Sequence, residues 1–260
     1  MGFLLREGAV VATQQQEQAV PRGGPELLKR ERVQLIDLSR DIFEGMPLWP
    51  GHQKPFVMVN QTHEGFKERF GTDLGFEAHN WLMSEHTGTH TDAIFEYDPN
   101  GADLDHMPLE YFYGEAVCLD VSHVRHPDWI TPEILEQAER DGGQAIQPGD
   151  IVLLFTGHGD RTYPSKEFVD VYTGLRRDAA VWLAEKGVVN IGIDSLAIDH
   201  SDDLEFSGHA VCGEYQIVNT ENLVNLDQLV GKRFMYFGLP LHFREGTGSP
   251  VRAVAWLDRG

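Results

Sequence analysis

Eight short segments of this chain have the pattern of β-strands, and they constrain its fold more than any other feature. Each is rich in β-branched or aromatic residues and is bounded by Gly, Pro, Asp or Asn. They are VQLIDLS (33–39), FVMVNQT (56–62), AHNWLMS (78–84), AVCLDVS (116–122), DIVLLFT (150–156), VVNIGIDS (188–195), RFMYFGLP (233–240) and VRAVAWLD (251–258). Their number predicts an extensive β-sheet rather than a helical bundle.

Two further segments have the pattern of helices. In TPEILEQAERDGG, Thr131 is placed as an N-cap, Pro132 follows in the first turn and Gly142 stands near the C-terminus. In GLRRDAAVWLAEKG, apolar residues recur on one stripe and Gly187 ends the segment. Many strands with few helices predict an α/β (α+β) fold, a single domain with a mixed β-sheet or barrel-like core flanked by a few helices.

The first 32 residues differ in character from the rest of the chain. They include TQQQEQ and PRGGPELLKRER, which are polar or rich in Gly and Pro. We expect residues 1–32 to form an N-terminal arm, either flexible or in contact with another subunit. Residues 33–260 are expected to form the domain.

Composition argues against several classes of partner. The formal net charge is −20, from 41 acidic against 21 basic residues, so the chain lacks the concentrated basic surface that phosphate binding requires. Neither nucleic acid nor an anionic membrane is therefore an expected partner. No apolar run reaches the roughly 18 residues of a spanning helix. Two cysteines, Cys118 and Cys212, imply no disulfide framework, and a cytoplasmic location is the expectation.

The segment HTGTHTD concentrates groups that bind metals. It contains His86, His90 and Asp92 within seven residues, whereas Gly88 and three threonines disfavour a helix. An extended segment would point both histidines and the aspartate to one face. Imidazole nitrogens with a carboxylate are the ligands of catalytic Zn²⁺, Mn²⁺ or Fe²⁺ sites. A metal site is therefore predicted, against the alternative of three polar residues in a turn.

The same segment resembles the HxGTHxDxP signature of the cyclase-type metal-dependent hydrolases, a family that includes bacterial kynurenine formamidase, isatin hydrolase and trans-dienelactone hydrolase. The resemblance extends over most of 33–258. Further segments that resemble the family, in the same order, are IDLSRDIFEGMPLWPG, NGADLDHMPLEYFYGEAVCLDVS, GDIVLLFTG, VVNIGIDSLAID and GTGSPVRAVA. The resemblance implies a swivelling β/β/α fold, a divalent metal cofactor (Zn²⁺ or Mn²⁺) and a homodimer or homotetramer.

The resemblance also implies two further residues at the metal. The family has a His and, twelve residues on, a Glu, and here His209 and Glu221 have that spacing. Without the resemblance, His209 would be interpreted as an ordinary loop histidine and Glu221 as a solvated charge at the end of a strand. In members with two metals, Asp92 would bridge the ions, with His86 and His90 on one ion and His209 and Glu221 on the other. Members with one metal also exist, so one or two ions are expected, with His209 also among the catalytic candidates.

Glu96 marks a departure from the family. In kynurenine formamidase-like members a catalytic His stands at this position, and a Pro stands where this chain has Ile94. A buried carboxylate beside a metal can still perform general acid–base catalysis. Glu96 could instead be a metal ligand or a displaced surface residue. His106 is a second catalytic candidate to replace the missing imidazole, against the alternative of a solvated loop histidine.

Three residues are candidates for substrate binding. Trp49 and Phe56 could line a slot for an aromatic substrate, although the WPG sequence around Trp49 is also typical of a structural turn. His158 follows a predicted core strand and lies between glycines, in the kind of loop that often carries functional residues.

The first hypothesis for function is metal-dependent hydrolysis of an amide or lactam C–N bond, as in isatin or N-formylkynurenine, with a metal-activated water. The substrate would be a small molecule. Alternatives are a lactone hydrolase of the dienelactone type or a cyclase-type lyase on the same scaffold. A remote alternative hypothesis is a protein that binds metal without catalysing a reaction. The chain has no GxSxG motif for a serine nucleophile.

Overall fold

A computed structural model describes residues 33–258, so the predicted arm at 1–32 lies outside the described residues. This part of the chain has eleven strands: β1 Val33–Asp37, β2 Phe56–Gln61, β3 Ala78–Leu82, β4 His90–Asp92, β5 Tyr113–Asp120, β6 Ile151–Phe155, β7 Asn190–Ile193, β8 Val218–Glu221, β9 Arg233–Phe237, β10 Gly248–Pro250 and β11 Val254–Asp258. Its α-helices are α1 His63–Phe70, α2 Pro132–Gly142, α3 His158–Thr162, α4 Lys166–Asp170, α5 Arg177–Glu185 and α6 Ser207–Tyr215.

Nine strands form one mixed sheet, in the order β1-β11-β9-β5-β6-β7-β8-β4-β10. The pairs from β5 to β8 are parallel, and all other pairs are antiparallel. Helices α2, α5 and α6 each lie in a connection between two of the parallel strands, as crossover connections require. The α/β (α+β) prediction with a mixed sheet is confirmed. Strands β2 and β3 form a separate two-stranded sheet.

Both faces of the central parallel strands are buried. Val152 belongs to a cluster with Leu183 of α5, whereas its neighbour Leu153 belongs to a second cluster with Tyr236 of β9. The first face is covered by helices and the second by residues of β1, β9 and β11, which are strands of the same sheet. The sheet is therefore curled, which agrees with the predicted barrel-like core. Continuous apolar runs such as IVLL in β6 are typical of strands buried on both faces.

All eight predicted strands are present, and seven of them end earlier than the apolar patterns suggested; the eighth, β11, ends at the predicted Asp258 but begins three residues later than predicted. Strands β8 and β10 were not predicted, because four and three residues carry too little periodicity to detect. Both predicted helices are present as α2 and α5, and Gly187 has the left-handed conformation expected after a helix. The other helices are short, and α6 contains two glycines within SGHAVCGEY. Among residues 33–258, no helix combines the length and hydropathy needed to cross a bilayer.

Candidate metal centre and active site

Strand pairing brings the predicted metal ligands together. Strand β4 lies between β8 and β10, with His90 opposite Glu221 and Asp92 opposite Gly248. His86 precedes β4 and reaches the site through a turn in which Gly88 has a left-handed φ of +67°. The HTGTHTD segment is therefore a turn followed by a short strand, not the continuous extended segment predicted from its alternation.

The first group of ligand atoms comes from His86, His90 and Asp92, all buried. His86 Nδ1 lies 2.8 Å from Asp92 Oδ1, and His90 Nε2 lies 3.5 Å from the same oxygen. Ligand atoms that each lie about 2.1 Å from a tetrahedral zinc are about 3.4 Å apart. The spacing of these atoms suits one divalent ion.

The second group comes from His209, Glu221 and the same aspartate. His209 Nε2 lies 3.6 Å from Asp92 Oδ2 and 3.5 Å from Glu221 Oε1. Asp92 thus offers one oxygen to each group. His90 Nε2 also lies 3.6 Å from Glu221 Oε2, so the two groups are contiguous. The arrangement resembles the two-ion pattern that the family implies, and the donor set fits one or two ions.

Hydrogen bonds orient two of the histidines towards the carboxylates. His90 Nδ1 donates to the carbonyl of Gly88 at 2.9 Å, and His209 Nδ1 donates to Asp199. Their Nε2 atoms, which face the carboxylates, therefore carry lone pairs unless a second proton is bound. The lone pair of His90 Nε2 is satisfied only by a proton or a cation between it and the carboxylates, whereas His209 Nε2 also lies 3.2 Å from the amide nitrogen of Asn219. The donor chemistry is that of a metal site.

The pKa values of the site reflect the burial of several ionisable groups close to one another. Burial lowers the pKa of His90 to about 4 and raises that of Glu221 to about 8. Burial opposes ionisation of Asp92 as well, but hydrogen bonds from His209 and His86 hold its pKa well below the usual value. Burial would lower the pKa of His209, yet the charge of Asp199 raises it well above the usual value. A divalent cation would stabilise the carboxylates and the neutral imidazoles.

Glu96 lies at the edge of this cluster, at the end of the 3₁₀ turn Ile94–Glu96. Its Oε2 is 3.4 Å from His86 Nδ1. Burial, followed by the charge of Asp92, raises the pKa of Glu96 to about 11. The raised pKa favours the protonated form of Glu96 beside the ligand cluster. Neighbouring Ile94, which stands in place of the family's Pro, is buried in an apolar cluster with Phe112.

A cavity of about 360 Å³ opens onto these residues. Its floor contains the ligand side chains and Glu96, and its walls are mainly apolar. Trp49 and Phe206 meet edge to face at 5.9 Å in the wall. The other wall residues are Leu48, His52, Tyr97, Leu196, Ala197 and Asn222. Such a cavity suits a small, partly aromatic molecule whose polar group reaches the ligand cluster.

Three predicted site residues lie apart from this cavity. The His106 side chain is 73% exposed and pairs with Asp103, so its imidazole does not replace the missing family histidine at the site. Phe56 is exposed on β2 and does not line the cavity. His158 is buried, stacks on Phe168 and has its Nε2 3.1 Å from the carbonyl of that residue. Its role in the structure is packing.

Several site residues were not predicted from the sequence. Asp199 orients His209, Asn219 donates to Glu221 at 2.9 Å, and His52 stacks on His86 with ring centroids 5.1 Å apart. Phe206 and Asn222 line the cavity with φ values of +51° and +59°. Only Asp199 lay in a segment noted for its family resemblance, SLAID. The others have no local signal, because their role depends on residues distant in sequence.

Comparison with known proteins identifies the family. A family model described as "Putative cyclase" matches residues 36–200. The chain belongs to this cyclase family. Kynurenine formamidase from Bacillus mycoides (strain KBAB4) is 33% identical over 222 residues, which are 85% of this chain and 96% of the relative. Kynurenine formamidase from Bacillus anthracis is 32% identical over 222 residues, or 84% of this chain and 95% of the relative.

Solved structures show the same fold. Isatin hydrolase A from Labrenzia aggregata, bound to benzyl benzoate, has a TM-score of 0.74 and 24% sequence identity, covering 87% of this chain and 94% of its own. An isatin hydrolase bound to the product analogue thioisatinate has a TM-score of 0.78 and 20% identity, covering 88% and 94%. The predicted membership of the family is confirmed across most of the described domain.

Proposed function

We propose that this cyclase-family member is a metal-dependent hydrolase that opens a non-peptide C–N bond of an amide or lactam. The observation that carries the proposal is the pair of ligand groups sharing Asp92 on the floor of an apolar cavity. Two relatives named kynurenine formamidase support this reaction class, since their name denotes an enzyme that cleaves a formamide. Structures of isatin hydrolases share the fold.

We propose Zn²⁺ or Mn²⁺ as the cofactor, held as one or two ions by His86, His90, Asp92, His209 and Glu221. When bound, the metal supplies Lewis-acid polarisation of the scissile carbonyl and lowers the pKa of water. Imidazole and carboxylate ligands suit both ions. Asp92 holds the two ligand groups in contact, and Asp199 keeps the lone pair of His209 Nε2 directed at the site.

Glu96 is the group proposed to transfer the proton. It faces the ligand cluster, lines the cavity and has a raised pKa, so it is suited to donate a proton to the leaving nitrogen. Trp49 and Phe206 would contact the apolar body of the substrate and exclude water from the reacting carbonyl. By the family resemblance, the carboxylic acid of Glu96 stands where kynurenine formamidase-like members have an imidazole.

The proposal predicts an activity that depends on metal. Protein stripped with a chelator should lose at least about 100-fold in kcat/KM, because neither carbonyl polarisation nor water activation remains. Adding back Zn²⁺ or Mn²⁺ should restore it. A panel of isatin, N-formylkynurenine and a dienelactone, followed by mass spectrometry, checks the reaction, since hydrolysis adds one water and dehydrative cyclisation removes one. Turnover that survives complete metal removal would contradict the proposal.

Self-association is proposed as well, as a homodimer or homotetramer. The segment from β2 to β3 exposes large apolar side chains: Phe56, Met58, Val59, Phe70, Leu74, Phe76, Trp81 and Leu82. A two-stranded sheet is marginally stable by itself in water, and exposed apolar patches of this kind mark interfaces. A second copy of the chain is the proposed partner.

The two free cysteines are buried, which supports the cytoplasmic location proposed from the sequence.

Met58→Asp tests this interface. A charge placed where apolar side chains meet should weaken association by at least about tenfold, measured by analytical ultracentrifugation across a concentration series. Leu204→Asp is the matched control, because Leu204 is 87% exposed outside this segment. An equal effect of the two changes, or a wild-type protein that stays monomeric, would count against the interface.

A further inference from the structure

His86 has a second polar contact on the side of its ring that faces away from the ligand cluster. Its Nε2 lies 3.0 Å from the hydroxyl oxygen of Thr247. The same hydroxyl lies 2.7 Å from Glu85 Oε2, and the backbone N–H of Thr247 donates to that oxygen at 3.0 Å. Glu85, Thr247 and His86 therefore form a continuous chain of hydrogen bonds that ends at a proposed metal ligand.

The direction of this chain follows from the number of protons available. Glu85 Oε2 already accepts from the Thr247 backbone, so it is an acceptor for the hydroxyl as well. The hydroxyl has one proton and gives it to Glu85. Towards His86 the hydroxyl can then only accept. Because the hydroxyl only accepts from His86, this row of hydrogen bonds requires a proton on His86 Nε2.

The consequence for the site concerns the other nitrogen of the ring. With a proton on Nε2, the other ring nitrogen, Nδ1, donates the hydrogen bond to Asp92 when it is protonated and carries the lone pair that binds a metal when His86 is neutral. That atom is 2.8 Å from Asp92 Oδ1 and 3.4 Å from Glu96 Oε2. Nδ1 is thus the nitrogen directed at the proposed metal position, whereas His90 and His209 use Nε2.

The ring is also held sterically by β10, the strand that begins directly after Thr247. A Cβ atom on Gly248 would lie 2.6 Å from Cε1 and 3.0 Å from Nδ1 of His86. Only glycine lets β10 approach the imidazole this closely. Gly248 is opposite Asp92 in the β4–β10 pair, so β10 sets the position of the ring, and Thr247 directly before β10 supplies the hydroxyl that orients it.

We infer that Glu85 and Thr247 are positioning residues that fix His86 as the Nε2-protonated tautomer, so that Nδ1 is the metal-binding atom. This inference rests on the proposed metal-dependent function but concerns residues outside the ligand set. It assigns a role to Glu85, which directly precedes the first histidine of the motif, and to Thr247 at the entrance of β10. Outer contacts of this kind typically contribute 10–100-fold to metal affinity.

Nitrogen NMR of the full chain labelled with ¹⁵N-histidine tests the tautomer directly. With His86 assigned from a His86→Gln spectrum, Nε2 should carry a proton both before and after zinc is added, and zinc should move the Nδ1 resonance. Deprotonation of Nε2, or a zinc-induced shift on Nε2 instead of Nδ1, would overturn the inference. This readout requires no substrate and no turnover.

Substitutions at Thr247 test the effect on affinity. Thr247→Val keeps the shape but removes the acceptor, and should raise the zinc Kd at least tenfold in a chelator competition. Thr247→Ser retains the hydroxyl and should restore the affinity to within about threefold of wild type. Glu85→Ala should weaken zinc binding, because the Thr247 hydroxyl could then donate to His86 Nε2 and the Nε2-protonated tautomer would no longer be enforced. Unchanged zinc affinity in Thr247→Val would overturn the inference.

The two proposals fail in distinguishable ways. If His90→Ala binds zinc as tightly as wild type, the proposed metal site is wrong, whatever the variants at Thr247 show. If His90→Ala loses zinc while Thr247→Val does not, the metal site stands and the positioning role is wrong. Should Thr247→Val fail to fold, the wild-type spectra and the comparison of Thr247→Ser with Glu85→Ala still decide the question.

Discussion

Asp92→Ala is expected to abolish tight zinc binding and to lower kcat/KM by at least about 10³-fold, equivalent to about 4 kcal/mol of transition-state stabilisation. Asp92 directs one oxygen at His86 and His90 and the other at His209. Its removal therefore disrupts both ligand groups at once. Metal content by elemental analysis and turnover of the best substrate are the measurements.

The fold should survive this change, because the apolar clusters around β5, β6 and β7 do not include Asp92. Circular dichroism checks this point. Asp103→Asn is the matched control, since Asp103 belongs to a surface group with Asp105 and His106 that could also attract a metal. Zinc retention and activity should be unaffected by the control. An Asp92→Ala protein that is fully active without metal would refute the proposed function.

Glu96→Gln is expected to lower kcat by about 10²–10⁴-fold with zinc still bound. The amide keeps the size of the side chain but cannot act as the general acid or base that a carboxyl group beside the ligand cluster can supply. KM should change little, because the apolar walls of the cavity are intact. Steady-state kinetics combined with a zinc assay separate the effects on chemistry from those on the metal.

The alternatives for Glu96 give different results in the same experiment. Loss of both zinc and activity would show that Glu96 is a metal ligand. Unchanged kinetics would show that it has no role in the reaction. Glu136→Gln on the exposed side of α2 is the control for a Glu-to-Gln change outside the cavity. Glu96→His places the family's imidazole at the position, and recovery of part of kcat relative to Glu96→Gln would show that either group can transfer the proton.

The predictability of the fold varied with the length of each element. Strands such as β6, buried on both faces, were evident because five consecutive apolar residues, IVLLF, stand between polar residues. Strand β8 was missed, because its sequence VNTE is short and polar although the strand is buried. Burial of Asn219 and Glu221 is possible only through partners such as the backbone N–H of Ile198, which binds Glu221 Oε1 at 3.1 Å. No local pattern reports such partners.

The candidate site was predictable where its chemistry is concentrated in sequence. The grouping of His86, His90 and Asp92 pointed to a metal without any structure, and His209 and Glu221 followed from the family spacing. His106 was a reasonable candidate by distance along the chain, yet its exposed turn directs the ring to solvent. The cavity walls could not be predicted, because Trp49 and Phe206 meet only after the chain folds.

The sequence by itself determined the strand-rich fold, the family and the ligand chemistry, because apolar periodicity and the HTGTHTD motif are local properties of the chain. The tertiary structure decided which atoms face one another. Pairing of β4 with β8 and β10 sets His90 opposite Glu221 and places Thr247 and Glu85 behind His86. These contacts depend on strand register and long-range packing, and neither can be predicted from any single segment of the sequence.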